Sequence, residues 1–223
     1  MINKVNIYGG GLAGCETAYQ LLKRGVDVTM YEMKRIKKSP AHKLDTLCEL
    51  VCSNSLKSED VGTASGLLKA EMQMLDSLIL SVAQECKVPA GNALAVDRDL
   101  FSLKITEKLN SFDNFTYVDC VATDFLPKDG EISVVATGPL TDDAMIPAFQ
   151  KCFGDDFLYF FDAVAPIVTT DSIDFDSAFI ASRYNKGDAD YVNCPMTKDE
   201  FLAFWQNLVD AETVEIRLVV LLA

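Results

Sequence analysis

The chain opens with a change of period. In KVNIYG, residues 4–9, the β-branched Val5 and Ile7 alternate with other positions and predict a short strand. From Ala13 to Arg24 the apolar residues Ala13, Ala18, Leu21 and Leu22 recur at helical spacing, and Gly25 follows as a stop. VDVTMYE then predicts a second strand ending in Glu32. Strand, turn, helix and strand in this order form the unit whose parallel strands need a right-handed crossover. From Met33 to about Gly66 the residues show no convincing period, and the stretch reads as a loop long enough to carry function or structure of its own. Leu68, Met72, Leu75, Ile79, Val82 and Cys86 fall on one stripe and predict one continuous helix. Pro89 and Gly91 break it, and a further helix over 98–109 places Phe101, Ile105 and Leu109 on one face. FTYVDCV and EISVVATG read as two more strands, the second ended by Pro139. Beyond Leu140 the pattern is less regular: FLYFFDAVAPIV is an aromatic-rich strand candidate, and KDEFLAFWQNLVD is an amphipathic helix carrying Phe201, Phe204, Trp205 and Leu208. The fold class expected is α/β, a Rossmann-like parallel sheet over residues 1–145. Residues 146–223 are expected to begin an inserted α+β domain.

Composition narrows this picture. The chain has 223 residues, 49% of them hydrophobic, enough for a sizeable core. No apolar run approaches the roughly 20 residues that span a bilayer, and the start lacks the apolar stretch of a signal peptide. Seven cysteines are scattered without a CxxC pair, which argues against a disulfide framework or zinc knuckle and for a reducing cytoplasm. His42 is the single histidine, so a multi-histidine metal site and a His-based triad are excluded; no metal is expected. The net charge of −13 opposes nucleic acid on average. One basic stretch, MKRIKKSPAHK over 33–43, holds Lys34, Arg35, Lys37, Lys38 and Lys43; it is either a local RNA contact or a solvated loop.

The first chemical signal is YGGGLAGCET, residues 8–17. Gly9-x-Gly11-x-x-Gly14 follows a strand and opens a helix, with Gly10, Leu12 and Ala13 inside the turn. The glycines permit a tight turn, close approach of a pyrophosphate, and close helix–strand packing, while the helix N-terminus favours phosphate. Glu32 ends the next strand, where a carboxylate accepts from ribose hydroxyls. FAD and NAD both remain open on this motif. Thr137-Gly138, in SVVATGP, tips the choice toward a flavoprotein, because such a turn after a strand passes close to the cofactor. ELVCSNSL, residues 49–56, offers Cys52 as a nucleophile, with Ser53 and Asn54 as hydrogen-bonding neighbours, although most cysteines are small buried hydrophobes. Arg98 at a predicted helix start is disfavoured by the dipole, which hints at a ligand or at a carboxylate such as Asp97 or Asp99.

Many segments in order then carry a resemblance. VNIYGGGLAGCETAYQLLKRG, YEMK, SPAH, ELVCSNSLKS, GLLKAEM, DSLIL, VPAGNALAVDR, VVATGPLT, YFFDAVAPIV, SRYNKG and NCPMTKDEF closely resemble the bacterial folate- and FAD-dependent tRNA (uracil-5-)-methyltransferases. These belong with the glucose-inhibited-division-type flavoproteins. The resemblance implies methylenetetrahydrofolate as one-carbon donor, FAD as carrier and NAD(P)H as electron source. It implies carbon 5 of a uridine in the tRNA T-loop as target, in the cytoplasm. It makes Cys52 a catalytic cysteine, places FAD on Gly9, Gly10, Gly11, Leu12, Ala13, Gly14 and Glu32, and sets Thr137 and Gly138 beside it. His42, Asn54, Arg98 and Tyr184 match family positions and are candidate flavin or substrate contacts. Members are about twice this length, and EIRLVVLLA, from about residue 215, departs from their pattern, so the chain reads as a truncated N-terminal half. A ribosomal-RNA relative, a generic FAD/NAD(P) oxidoreductase and an inactive remnant with residual nucleotide binding are the alternatives.

Overall fold

The computed structural model describes residues 4–127, 130–154, 168–183 and 186–212. It divides into two compact units, Met1–Pro166 and Ile167–Ala223, each described by itself.

The first unit is built on a parallel sheet. β1 (Lys4–Tyr8) leads through α1 (Leu12–Leu22) to β2 (Asp27–Glu32), as the change of period predicts. The chain then forms β3 (Ser55–Ser58), α2 (Ala64–Met74), α3 (Leu78–Glu85), β4 (Lys87–Val88), β5 (Ala93–Val96) and α4 (Arg98–Asn110). β6 (Phe115–Asp119) and β7 (Ile132–Val135) follow, then α5 (Ile146–Phe153). The sheet order is β6-β2-β1-β7, with Tyr8 beside Tyr31 on one side and beside Val135 on the other. Strands are laid outward from β1 through β2 to β6, and β7 is then added on the opposite side. Strand order therefore reverses at β1, the place where open α/β sheets bind ligands beyond their carboxyl ends.

One face of the sheet makes the main core. Val5, Ile7, Val28 and Met30 are buried there with Cys15, Ala18 and Leu22 of α1 and Phe101, Ile105 and Leu109 of α4. Each large side chain in this set contributes about 1.5–3 kcal/mol on burial. A smaller cluster of Phe125, Met145, Ala148 and Phe149 packs with Tyr8 and Ala122. Ala148 and Phe149 belong to α5, so this helix is part of the first unit. The expected division stood at 145/146; the two compact units divide after α5, whose Ala148 and Phe149 pack with Phe125.

One expectation fails where distant residues decide. The stripe from Leu68 to Cys86 is not one helix but α2 and α3, separated at Leu75–Ser77. Asp76 takes a left-handed φ of 59°. Ser77 caps α3, and the Glu16 carboxylate of α1 accepts from Ser77 Oγ at 2.8 Å and from the amides of Ile79 and Leu78 at 3.0 and 3.3 Å. These are first-turn groups that a helix start leaves without partners, and a carboxylate complements the dipole there. The stripe splits accordingly: Ile79, Val82 and Cys86 are buried, whereas Leu68 and Leu75 are exposed. The long polar loop and the Pro/Gly break also contain β3 and the β4–β5 hairpin, which join as an antiparallel sheet ordered β3-β5-β4.

In the second unit, β8 (Phe179–Arg183) and β9 (Lys186–Asn193) form an antiparallel hairpin, followed by α6 (Lys198–Val209). α6 begins with a reciprocal capping box: the Glu200 amide donates to Thr197 Oγ1 and the Thr197 amide to Glu200 Oε2. Residues 157–167 of the expected aromatic strand, Tyr184 and the atypical tail lie outside the described residues. Among the described residues, no helix is long and apolar enough to cross a membrane.

Candidate functional site

The turn between β1 and α1 separates its glycines by what each one faces. Gly9 has φ 103°, and a Cβ there would lie 2.5 Å from the Ala136 carbonyl oxygen at the end of β7. A Cβ on Gly14 would lie 1.9 Å from the Gly9 carbonyl oxygen, and one on Gly10 would lie 2.4 Å from Leu47 Cδ2. These three are glycine because protein atoms fill the space. A Cβ on Gly11 would meet nothing within 4 Å beyond its own neighbours in the chain. Gly11 is also the N-cap of α1, with no side-chain cap and no acidic residue in the first turn. The opening beside it can therefore admit an anion onto first-turn amides that have no intrahelical acceptor.

Glu32 holds this turn in place. Its buried carboxylate accepts from the Gly10 amide at 2.6 Å, the Met33 amide at 2.8 Å and the Lys34 amide at 3.0 Å. Carboxylate oxygens have capacity beyond these three bonds, so Glu32 can brace the loop and still accept from a ribose hydroxyl. Glu32→Ala leaves three amides without their acceptor. We expect it to lower stability by about 3 kcal/mol in urea unfolding, with Glu32→Gln, which keeps one carbonyl oxygen, losing less. Equal stability of the alanine variant and the wild type would remove Glu32 from this role.

Above the turn lies a crevice of about 430 Å³, within the range of small-ligand sites. It brings together Gly9, Gly10, Gly11, Leu12, Ala13, Glu32, His42, Cys52, Thr137 and Gly138 from the sequence-based set. Cys52 is exposed and stands at its rim beside Val51 and Ser53. The His42 ring is held through Nδ1 by Ser39 Oγ at 2.7 Å. Thr141 Oγ1 donates to Thr137 Oγ1 at 2.6 Å, closing the turn after β7 around Gly138. Tyr8 and Tyr31 also line the crevice, stacked at 4.9 Å, and burial with the Tyr31 neighbour raises the Tyr8 hydroxyl above its ordinary pKa. The sequence marks neither as a site residue, because an aromatic at a strand end reads as core.

Other expected residues stand elsewhere. Gly14 packs behind the crevice against Gly9. The Asn54 carbonyl accepts from the Val96 amide, in line with the β3–β5 pairing. Among the described residues Arg98 pairs with no carboxylate: its Nη1 donates to the Leu50 carbonyl at 3.2 Å, while Asp97 caps α4 through the Asp99 and Leu100 amides. Tyr184 is outside the described residues.

The basic stretch is tied to its own chain. Lys34 is buried with Nζ on the Thr46 carbonyl at 2.8 Å, which removes it from any RNA surface. Arg35 lies over the Tyr117 ring at 4.3 Å and 3.8 Å from Asp119. Lys37 pairs with Asp142 and Lys38 with Asp45, at 2.5 and 2.8 Å. The sequence pattern of cations is real, but Asp45 just beyond it, and Asp119 and Asp142 from distant segments, pair with Lys38, Arg35 and Lys37.

A set that the sequence did not reveal lies along α4. Thr46, Leu47 and Leu50 are bonded to Ser102, Thr106 and Arg98 of that helix. The available signal was a pair of hydroxyl residues, Ser102 and Thr106, beside the apolar stripe.

The family model described as glucose inhibited division protein A matches residues 4–220. The methylenetetrahydrofolate–tRNA-(uracil-5-)-methyltransferase TrmFO of Thermotoga sp. (strain RQ2) is 51% identical over 211 residues, 95% of this chain and 48% of that protein. The protein of the same name from Lactobacillus gasseri is 52% identical over 213 residues, 96% of this chain and 48% of that one. GidA of Aquifex aeolicus, in its form II crystal, aligns over 61% of this chain and 25% of that chain at 17% identity with a TM-score of 0.48. The chain spans about half the length of the curated relatives it matches.

Proposed function

This chain belongs to the glucose inhibited division protein A family, and on that premise we propose that it carries the flavin cradle and the nucleophile of a cytoplasmic, folate- and FAD-dependent tRNA uridine methyltransferase. The observation that supports this most is a shared crevice. A phosphate-ready turn, the Glu32 carboxylate and the Cys52 thiol all line it, and relatives about half identical to this chain bear the methyltransferase name.

The residues fit a dinucleotide. The opening at Gly11 and the first-turn amides of α1 take the pyrophosphate, Glu32 accepts from the ribose, and Thr137 and Gly138 pass beside the ring system. Bound FAD would supply the carrier for a one-carbon unit from methylenetetrahydrofolate, with NAD(P)H as electron source. Carbon 5 of uracil is a weak nucleophile until carbon 6 has been attacked. The Cys52 thiolate adds to carbon 6, and the displaced electron pair makes carbon 5 reactive. Carbon 5 then forms its bond to the one-carbon unit and loses its proton, and two electrons from NAD(P)H reduce that unit to a methyl group as the carbon-6–sulfur bond breaks and the thiolate leaves. His42, fixed by Ser39, lies close enough to the crevice to contact substrate. The T-loop of tRNA is the proposed partner.

The test is direct. FAD titrated into the chain is followed by quenching of flavin fluorescence, and label from methylenetetrahydrofolate is followed into uridine of a T-loop RNA with NADPH present. Quenching with label in the methyl group on carbon 5 is the expected result. Absence of quenching sinks the cradle, and quenching without label in any RNA favours an oxidoreductase on the same fold.

A further inference from the structure

Three side chains of α4 reach one short stretch of backbone. Arg98 donates to the Leu50 carbonyl at 3.2 Å, Ser102 to the Leu47 carbonyl at 2.5 Å, and Thr106 accepts from the Leu47 amide at 2.8 Å. Each stands four residues from the next, so the helix aligns them on one side. The Ser102 hydroxyl also lies 2.6 Å from that of Thr46, and Thr106 donates back to the Ser102 carbonyl at 2.8 Å. Ser102 and Thr106 are both buried, with these bonds supplying the partners that buried hydroxyls need.

On its other side the same stretch meets the glycine turn. The Cys48 amide donates to the Gly10 carbonyl at 2.7 Å, and Leu47 fills the space where a Gly10 side chain would begin. Cys48 itself has φ 58°, a conformation that side chains rarely adopt. Such a residue persists only where its surroundings over-determine it, and here it is bonded to the glycine turn while Leu47 before it is bonded to α4. Cys52 follows Leu50 by two positions, at the rim of the crevice.

We propose that Arg98, Ser102 and Thr106 are positioning residues, a ladder on α4 that fixes residues 46–50 against the glycine turn and so sets where the Cys52 thiol stands. This also accounts for a cation in the first turn of a helix, where the dipole disfavours it: the Leu50 carbonyl is its acceptor. The functional meaning of the ladder rests on Cys52 as nucleophile, but its test does not use turnover.

The test is native-state alkylation by iodoacetamide, read at every cysteine by peptide mass spectrometry. In Arg98→Ala, with the Leu50 end released, Cys52 alkylation rises about fivefold, the change given by loss of one hydrogen bond. Exposed Cys152 keeps its rate, and buried Cys15 and Cys86 stay protected. Arg98→Lys, which retains a charged donor, stays within about twofold of the wild type. Thr106→Val, which keeps the shape and deletes the acceptor, moves Cys52 in the same direction and decides the matter if Arg98→Ala does not fold. The ladder is overturned if Cys52 is unchanged in both variants. It is equally overturned if Cys15 and Cys86 become reactive in step with Cys52, since general loosening would then explain the result. Loss of methyl transfer in Cys52→Ala alongside unchanged alkylation in the ladder variants would retain the nucleophile and remove the ladder; the opposite pair of results would do the reverse.

Discussion

Gly14→Ala is expected to cost the first unit about 3 kcal/mol, measured as a lower urea midpoint at unchanged slope, and to abolish FAD binding with it. The added methyl would sit 1.9 Å from the Gly9 carbonyl oxygen. Both atoms belong to backbone, so no rotamer relieves the clash, and α1 has to move off β1. Gly11→Ala makes the informative contrast. With nothing within 4 Å of its Cβ, the methyl meets no protein atom, and the cost stays within about 1 kcal/mol, set by the change of N-cap residue. The methyl does occupy the opening through which a pyrophosphate reaches the amides, so FAD affinity falls about tenfold or more. If Gly11→Ala bound FAD as the wild type does, the ligand would not approach at Gly11.

Cys52→Ala is expected to lower folate-dependent methylation of T-loop RNA by about a thousandfold or more, the scale of removing a nucleophile that works as a unit with its site. The thiol is exposed at the crevice rim, so its loss opens no cavity and stability changes little. FAD affinity should stay within about twofold, because the cradle is formed by the turn, Glu32 and the segment after β7. Cys48 makes the matching control. It is buried, and burial, with the Cys15 neighbour, pushes its thiol well above the ordinary range, so it lacks the thiolate that attack requires. A Cys52→Ala protein retaining a tenth of its activity would end the nucleophile assignment.

What could be read before the structure depended on how far apart the deciding residues stand. The β1–α1–β2 unit was legible because its period, its glycines and Glu32 lie in one window and their roles are local. The capping box of α6 is equally local, although its end positions were not anticipated. The break between α2 and α3 was not legible, since Ile79, Val82 and Cys86 continue the phase of Leu68 and Leu75 while the acceptor that starts α3 belongs to Glu16. Cys52 and His42 were singled out by residue type and do reach the crevice. Arg98 stands out for a sound electrostatic reason, but its acceptor in the fold, the Leu50 carbonyl, belongs to the backbone and leaves no mark in composition. Likewise, Lys34 to Lys38 read as cationic only while Asp45, Asp119 and Asp142 are out of view.

The Glu16 cap has a consequence for how this chain tolerates change. Because Glu16 of α1 holds the start of α3, that start is fixed by more than its connection to α2, where Leu67, Leu68 and Met74 are exposed while Met72 packs on the core and Gly66 lies against the Asp60 backbone. The exposed positions of α2 can therefore exchange their side chains while the start of α3 stays on Glu16, one turn along α1 from the residues that line the crevice.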